Sequence, residues 1–250
     1  MKISVSTLAL YPKPFDSILT CLEDKGLEYC EVINEYPYDS ISHEIIDSYN
    51  IKISVHAPLS DINIASHNKA IRESSISQVK QSIDMASELE PTVVVHPGSM
   101  PILGDKFPDK IREYNINALR ECSKYAEDCG VRMCIENMPN INGLFCRNLN
   151  ELEEIANEVD AYITLDVGHA NNMGISADDM FKSKLIRHIH LSDNDGSFDN
   201  HNALGSANIN FEKLFKNIKK SNYNDILVVE VKSPQEVTES LDYLKMLLKN

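Results

Sequence analysis

Basic residues are scarce in this chain: 24 lysines and arginines stand against 38 aspartates and glutamates, a formal net charge of −14. That balance disfavours loose electrostatic adhesion to nucleic acid or anionic membrane, so a phosphate-bearing substrate has to be met by local groups. Closely paired cysteines are missing as well. Cys21, Cys30, Cys122, Cys129, Cys134 and Cys146 include no C-x-x-C spacing, and a chain of this length needs no disulfide staples, so free thiols in a reducing cytoplasm are expected. No apolar run is long enough for a membrane span, and residues 1–10 lack a small-residue cleavage signal; they read as a first strand. Low-complexity tracts and linkers are absent too, so one domain over residues 1–250 is expected. The turn from Thr7 to Phe15 carries no Gly-rich fingerprint, which argues against a doubly wound dinucleotide-binding sheet.

What is present is a rhythm. Eight short β-rich runs, at 2–7, 28–34, 51–56, 92–96, 131–136, 161–166, 186–191 and 225–230, each lead into a loop and a helix-like segment. Eight units in 250 residues average about 31 residues, the size expected of a single (β/α)8 TIM barrel in the α/β class. Helical period is countable in Ile76, Val79, Ile83, Ala86 and Leu89, with Ser77, Lys80, Gln81 and Asp84 on the water side. At the last helix, Ser233, Pro234 and Glu236 announce an N-cap, a first-turn proline and a capping-box partner ahead of Val237, Leu241, Leu244 and Leu248.

In such a barrel the active site gathers at the C-terminal ends of the strands. Six of the eight runs finish on a metal-ligand type: His56, His96, Glu136, Asp166, His190 and Glu230. One such residue is unremarkable at a strand end. Three carboxylates and three imidazoles converging on one rim would repel or stay unpaired unless cations lay between them. Beyond these strands, His169 follows Asp166 in Asp-Val-Gly-His, and Asp199 and His201 stand two apart, a spacing that suits chelation. His188 shares strand parity with His190 one layer deeper and reads as interior packing. His43 and His67 read as surface residues. Imidazole and carboxylate without thiolate suit zinc or manganese, and mixed N/O sites with an open position are catalytic rather than structural.

These residues resemble the xylose isomerase-like barrels (AP endonuclease family 2) and, within them, the endonuclease IV type. The resemblance runs through His-Ala-Pro at 56–58, His-Pro-Gly-Ser at 96–99, Ile-Glu-Asn at 135–137, Leu-Asp-Val-Gly-His-Ala at 165–170, His-Leu-Ser-Asp at 190–193, Asp-Asn-His-Asn-Ala-Leu-Gly at 199–205 and Val-Glu at 229–230. It implies that His56, His96 and Glu136 hold one zinc. Glu136 then bridges to a second held with Asp166, His190 and Glu230, while His169, Asp199 and His201 hold a third. It also implies a metal-dependent phosphodiesterase, a hydrolase of DNA repair that cleaves at abasic sites, with Glu136 able to take the proton from the attacking water.

The chain departs from the endonuclease pattern at its first loop, at Leu59 where an aromatic residue is usual, and at Ser206-Ala207-Asn208. Tyr11, Tyr36 and Tyr38 lie in rim loops, where plain packing is the expected role and a stacking role in place of the missing aromatics the alternative. The first two units, with Gly26-Leu-Glu-Tyr-Cys-Glu31-Val, are more similar to the sugar isomerase and epimerase branch. That branch supplies the alternative: one divalent metal held by Glu136, Asp166, His190 and Glu230, with Glu136 and Glu230 as catalytic groups shuttling a proton beside a carbonyl. Lys232 shares parity with Glu230 and is the candidate substrate-binding ammonium for a phosphate. The expected partner is abasic DNA or a small sugar or sugar phosphate, with no membrane and no protein partner evident.

Overall fold

Each strand run carries one aliphatic parity and one mixed parity, so a closed ring of strands can bury the first under helices and turn the second inward. A computed structural model, described for residues 1–249 with the His43 side chain left aside, has this arrangement. Eight strands, β1 (Lys2–Ser6), β2 (Tyr29–Ile33), β3 (Lys52–His56), β4 (Thr92–Val95), β5 (Arg132–Glu136), β6 (Tyr162–Asp166), β7 (Ile186–Leu191) and β8 (Ile226–Val229), form a closed parallel barrel in chain order. The ring shuts where β1 pairs with β8, from Lys2 beside Ile226 to Val5 beside Val229. The chain is therefore a single (β/α)8 barrel, and the strand boundaries fall within a residue or two of the expected runs.

The helices are α1 (Phe15–Asp24), α2 (His43–Ile46), α3 (Lys69–Ser87), α4 (Pro108–Asp128), α5 (Leu149–Glu158), α6 (Val167–Asn172), α7 (Ala177–Met180), α8 (Phe211–Lys220) and α9 (Pro234–Lys249). Outward strand residues such as Val32, Val55, Ile135 and Leu165 join helix residues such as Ile83, Leu119, Leu152 and Phe215 in one continuous core. Each such fully buried aliphatic or aromatic side chain contributes about 1.5–3 kcal/mol. In α3, Val79, Ile83 and Ala86 are buried as the period requires, and Asn68 caps its start by accepting the Ala70 N–H at 3.1 Å. At the start of α9, Ser233 Oγ accepts the Glu236 N–H at 3.3 Å, as an N-cap, and donates to Glu236 Oε2 at 2.7 Å, so the second arm of the expected box runs through the serine hydroxyl instead of its backbone N–H. His67 is exposed; the expectation for the His43 side chain lies outside what is described.

Inside the ring a second, small apolar group of Tyr29, Ile226 and Val228 closes the floor. Above it lies a buried polar layer that includes Ser4, Glu31, Ser54, Thr164 and His188. Among the described residues no helix is long and apolar enough to cross a membrane.

Candidate metal centre

The barrel's mouth is built from strand ends. β3 ends on His56, β5 on Glu136 and β6 on Asp166, His190 is the penultimate residue of β7, and His96 and Glu230 stand one residue past β4 and β8. Glu230 is held there by its own N–H, which donates to Leu191 O at 3.0 Å. Asp166 doubles as the N-cap of α6, its Oδ1 accepting the His169 N–H at 2.6 Å. That cap is what turns Asp-Val-Gly-His so both side chains face the mouth. Asp199 and His201 sit on the loop after β7. An Asp193–Asn202 bridge anchors that loop, and the Asp193 carboxylate accepts the Ala207 and Ile209 N–H groups at 2.9 and 3.2 Å.

All nine sequence-derived donors meet. Glu136, Asp166, His190 and Glu230 bring one donor atom each to within 4.8 Å of one another, as do His56, His96 and Glu136, and His169, Asp199 and His201. Glu136 belongs to two of these groups. Its Oε2 lies 3.3 Å from His56 Nε2 and 3.1 Å from His96 Nε2, while its Oε1 lies 3.0 Å from His190 Nδ1. Glu230 Oε2 reaches the same His190 Nδ1 at 2.9 Å, and Asp166 Oδ2 stands 3.8 Å from it.

Three of the imidazoles have their proton placed by the backbone. His56 Nδ1 lies 2.7 Å from Ala57 O, His169 Nδ1 2.7 Å from Asn137 O, and His201 Nδ1 3.0 Å from Glu230 O. A carbonyl only accepts, so each Nδ1 carries hydrogen, and the Nε2 aimed at a carboxylate either takes a second proton or is left for a cation. His169 Nε2 and His201 Nε2 both face Asp199 Oδ2, at 3.1 and 2.9 Å. Two acceptors so placed need either an extra proton or a cation between them. Asp166 Oδ2 and Asp199 Oδ1 are buried and have no hydrogen-bond partner. Facing lone pairs and orphaned carboxylate oxygens are what a divalent cation resolves, so the donor set fits one.

The titration behaviour of these groups follows from the same crowding. Burial pushes the Asp166 carboxyl up to about 7; His169 opposes this, and the charges of Glu136, Asp199 and Glu230 add to it. Burial disfavours the charged form of His169, yet Asp166 and Asp199 raise it to about 10. His201 is likewise raised to about 9 by Asp199 and Glu230 against its burial. His190 is held well above the usual imidazole range by Glu230, Glu136 and Glu31, again against burial.

Two functional-site residues escaped the sequence reading. Asn137 locks the β5 and β6 ends together: its Oδ1 accepts the Asp166 N–H at 2.8 Å and its Nδ2 donates to Asp166 O at 2.9 Å. Glu31, fully buried on β2, lies against His188 and His190. Its signal was an acid in the middle of an apolar strand, where an unpaired carboxylate is rarely tolerated. His188 is interior, as expected, but donates to Glu31 rather than merely filling space. Lys232 does reach the rim, where its ammonium donates to Asn202 Oδ1 at 2.6 Å and stands 3.6 Å from Glu236. Of the rim tyrosines, Tyr38 is buried with its hydroxyl donating to Lys13 O at 2.8 Å, and Tyr11 packs edge-on against it.

The xylose isomerase-like TIM barrel family model matches residues 14–247. An uncharacterised Methanocaldococcus jannaschii protein is 33% identical over 264 residues, covering 99% of this chain and 89% of its own. Among solved structures, a D-tagatose 3-epimerase-like protein superposes with a TM-score of 0.90 at 31% identity, covering 100% of this chain and 97% of the other. A D-psicose 3-epimerase from Clostridium cellulolyticum with D-tagatose gives a TM-score of 0.81 at 17% identity, covering 99% of each chain.

These likenesses correct the expectation of an endonuclease IV-like phosphodiesterase acting on abasic DNA, and with it the hydrolase and DNA-repair assignment. The two solved structures just described are named as an epimerase-like protein and a sugar epimerase. The geometry gives a physical reason as well. At the turn after His56-Ala57-Pro58, Glu35 Oε1 already accepts the Leu59 and Ser60 N–H groups, both at 2.6 Å. An acid placed there repels a phosphate backbone and occupies the donors it would use. Of the three rim tyrosines only Tyr38 is committed to the core; Tyr11 and Tyr36 stay 54% and 78% exposed.

Proposed function

The chain belongs to the xylose isomerase-like TIM barrel family, and on that premise we propose that it is a divalent-metal-dependent isomerase or epimerase of a small sugar or sugar phosphate. The observation that carries this reading is the meeting of Glu136 and Glu230 at His190 Nδ1, 3.0 and 2.9 Å away, beside Asp166. β5 and β8 are three strands apart in the ring, so the two carboxylates enter the site from different directions. One takes a proton from the carbon next to a substrate carbonyl, and the other returns a proton from its own side. Epimerisation results when the proton returns to the opposite face of the same carbon; isomerisation results when it returns to the old carbonyl carbon while the hydroxyl proton of the first carbon passes to the old carbonyl oxygen.

Glu136, Asp166, His190 and Glu230 are the residues that would hold the ion, and zinc or manganese suits such oxygen-rich, thiolate-free donors. Bound there, a divalent ion supplies polarisation of the carbonyl that acidifies the adjacent C–H bond. His56 and His96 with Glu136, and His169, Asp199 and His201, would hold up to two further ions. His96 and His201 are the more open members, with side chains 25% and 22% exposed, and mark the side from which substrate enters. On a phosphorylated sugar, Lys232 would exchange Asn202 for the phosphate. One domain over residues 1–250 and a cytoplasmic setting complete the reading; the six unpaired cysteines support the latter.

The test is proton exchange. Metal-loaded protein is incubated in deuterated water with a panel of ketoses, aldoses and their phosphates, and deuterium entry beside the carbonyl is followed by NMR. Deuterium incorporation into at least one substrate, lost in Glu136→Gln and Glu230→Gln, is expected. Absence of exchange across the panel with fully metal-loaded protein would overturn the reading.

A further inference from the structure

His190 has both ring nitrogens between carboxylates. Nδ1 faces Glu136 and Glu230 at 3.0 and 2.9 Å, whereas Nε2 faces Glu31 Oε1 at 2.9 Å. Glu31 is itself pinned on its other oxygen: Oε2 accepts the His188 Nε2–H at 2.6 Å and the Ser54 hydroxyl at 3.1 Å. All four residues are fully buried in the barrel's inner layers. Neither Glu31 Oε1 nor His190 Nε2 has any aligned hydrogen-bond partner.

We propose that Glu31 is the positioning residue of the metal centre, holding the His190 proton on Nε2 so that Nδ1 offers its lone pair to the ion. The inference rests on the proposed function insofar as it takes the four-donor group to hold a cation. A neutral imidazole has one N–H, and a metal ligand must be the other nitrogen. Metal-bound histidines commonly give their remaining N–H to a carboxylate, which fixes tautomer and ring orientation. Glu31 is the carboxylate in place to accept it, and His188 and Ser54 keep it from turning toward the ion itself. The Glu31–His190 pair is at hydrogen-bond length but off-axis, so the proposed role would need a small turn of the ring when the four donors hold a cation. Glu31 touches no reacting atom in this scheme; it acts through His190.

The experiment reads His190 directly. Long-range 1H–15N spectra of chelator-stripped protein are recorded during Zn²⁺ titration against a competing chelator of known affinity, the His190 signals being assigned by their loss in His190→Gln. In wild type the Nε2–H, Nδ1-metal pattern is expected. In Glu31→Gln and Glu31→Ala the affinity read at His190 should fall about 10- to 100-fold with a mixed tautomer pattern. Ser54→Ala, which removes one anchor of Glu31 without touching His190, should lower it about 2- to 10-fold and serves if the Glu31 variants do not fold. Wild-type affinity and tautomer in Glu31→Gln, or in Ser54→Ala if that variant alone folds, overturns the inference and leaves the proposed function standing. Loss of one whole equivalent of ion with the His190 signals unmoved makes Glu31 a ligand elsewhere and also overturns it. A wild-type protein that takes up no Zn²⁺ at His190 removes both.

Discussion

Glu136 and Glu230 share a target: the carboxylates of these two residues, on strands three apart, approach the one atom His190 Nδ1 at 3.0 and 2.9 Å. Two anionic groups so close must be separated by a positive charge, and under the proposed mechanism both would act on one substrate carbon. Replacing either by glutamine keeps the shape and removes the base, so deuterium exchange should fall about 100- to 10,000-fold in each variant. A Glu230→Gln protein that retains its ions and still exchanges at the wild-type rate would contradict the two-carboxylate mechanism.

The outermost cluster has a carboxylate of its own, Asp199, that the four-donor group does not share. His169 and His201 meet Asp199, at 3.1 and 2.9 Å, on a loop beyond the strand ends. Asp199→Asn should therefore lower bound metal by about one equivalent, since the cluster loses its one carboxylate, and leave proton exchange standing. Metal content by mass spectrometry alongside the exchange assay separates the two effects. Unchanged metal content in Asp199→Asn would show that this cluster holds no ion.

Removing metal should make stability depend on alkali. In the metal-free chain, neighbouring carboxylates raise His169 from 6.5 to about 10 and His201 from 6.5 to about 9. A group whose folded pKa is raised stabilises fully below its unfolded value and loses that contribution as pH rises through the folded value. Chelated protein should thus melt at progressively lower temperature from about pH 6.5 to 10, while metal-loaded protein, whose imidazoles are already deprotonated, should not. Ion uptake near neutral pH should release protons, measurable in weakly buffered solution. Equal melting curves for chelated protein at both ends of this window would contradict the assignment.

The barrel and the nine donors were legible in the sequence because each rests on local information. Eight apolar runs have strand length, and a polar residue that closes such a run must sit on the rim once the ring shuts. Glu31 was not legible as a site residue because its role depends on a pairing across the ring, 157 residues away at His188. Only closure of β1 on β8 brings β2 and β7 close enough for that contact. The substrate was misread for a related reason. The nine donors fit both readings of the resemblance, and the loop contacts that bear on the choice, such as Glu35 holding the Leu59 turn, join residues far apart in the chain.

Gly168 tests how closely the centre depends on its backing. It lies between Asp166 and His169 in the first turn of α6, and a Cβ there would run into Ser192 Oγ and stand 3.3 Å from both Asn194 Nδ2 and Asp166 Oδ1. Ser192 and Asn194 are buried, and Asn194 Nδ2 already donates to Gly168 O at 2.8 Å, so making room disturbs packed groups. Gly168→Ala should cost about 1–3 kcal/mol of stability by overpacking. Because Asp166 is the cap of that turn, the displaced backbone should also weaken ion binding. Ala at position 174, by contrast, meets nothing within 4 Å, although its φ of +74° carries its own backbone strain. A Gly168→Ala protein that melts like wild type while Gly174→Ala is the more damaged would show that α6 has slack at the site, contrary to the packing described.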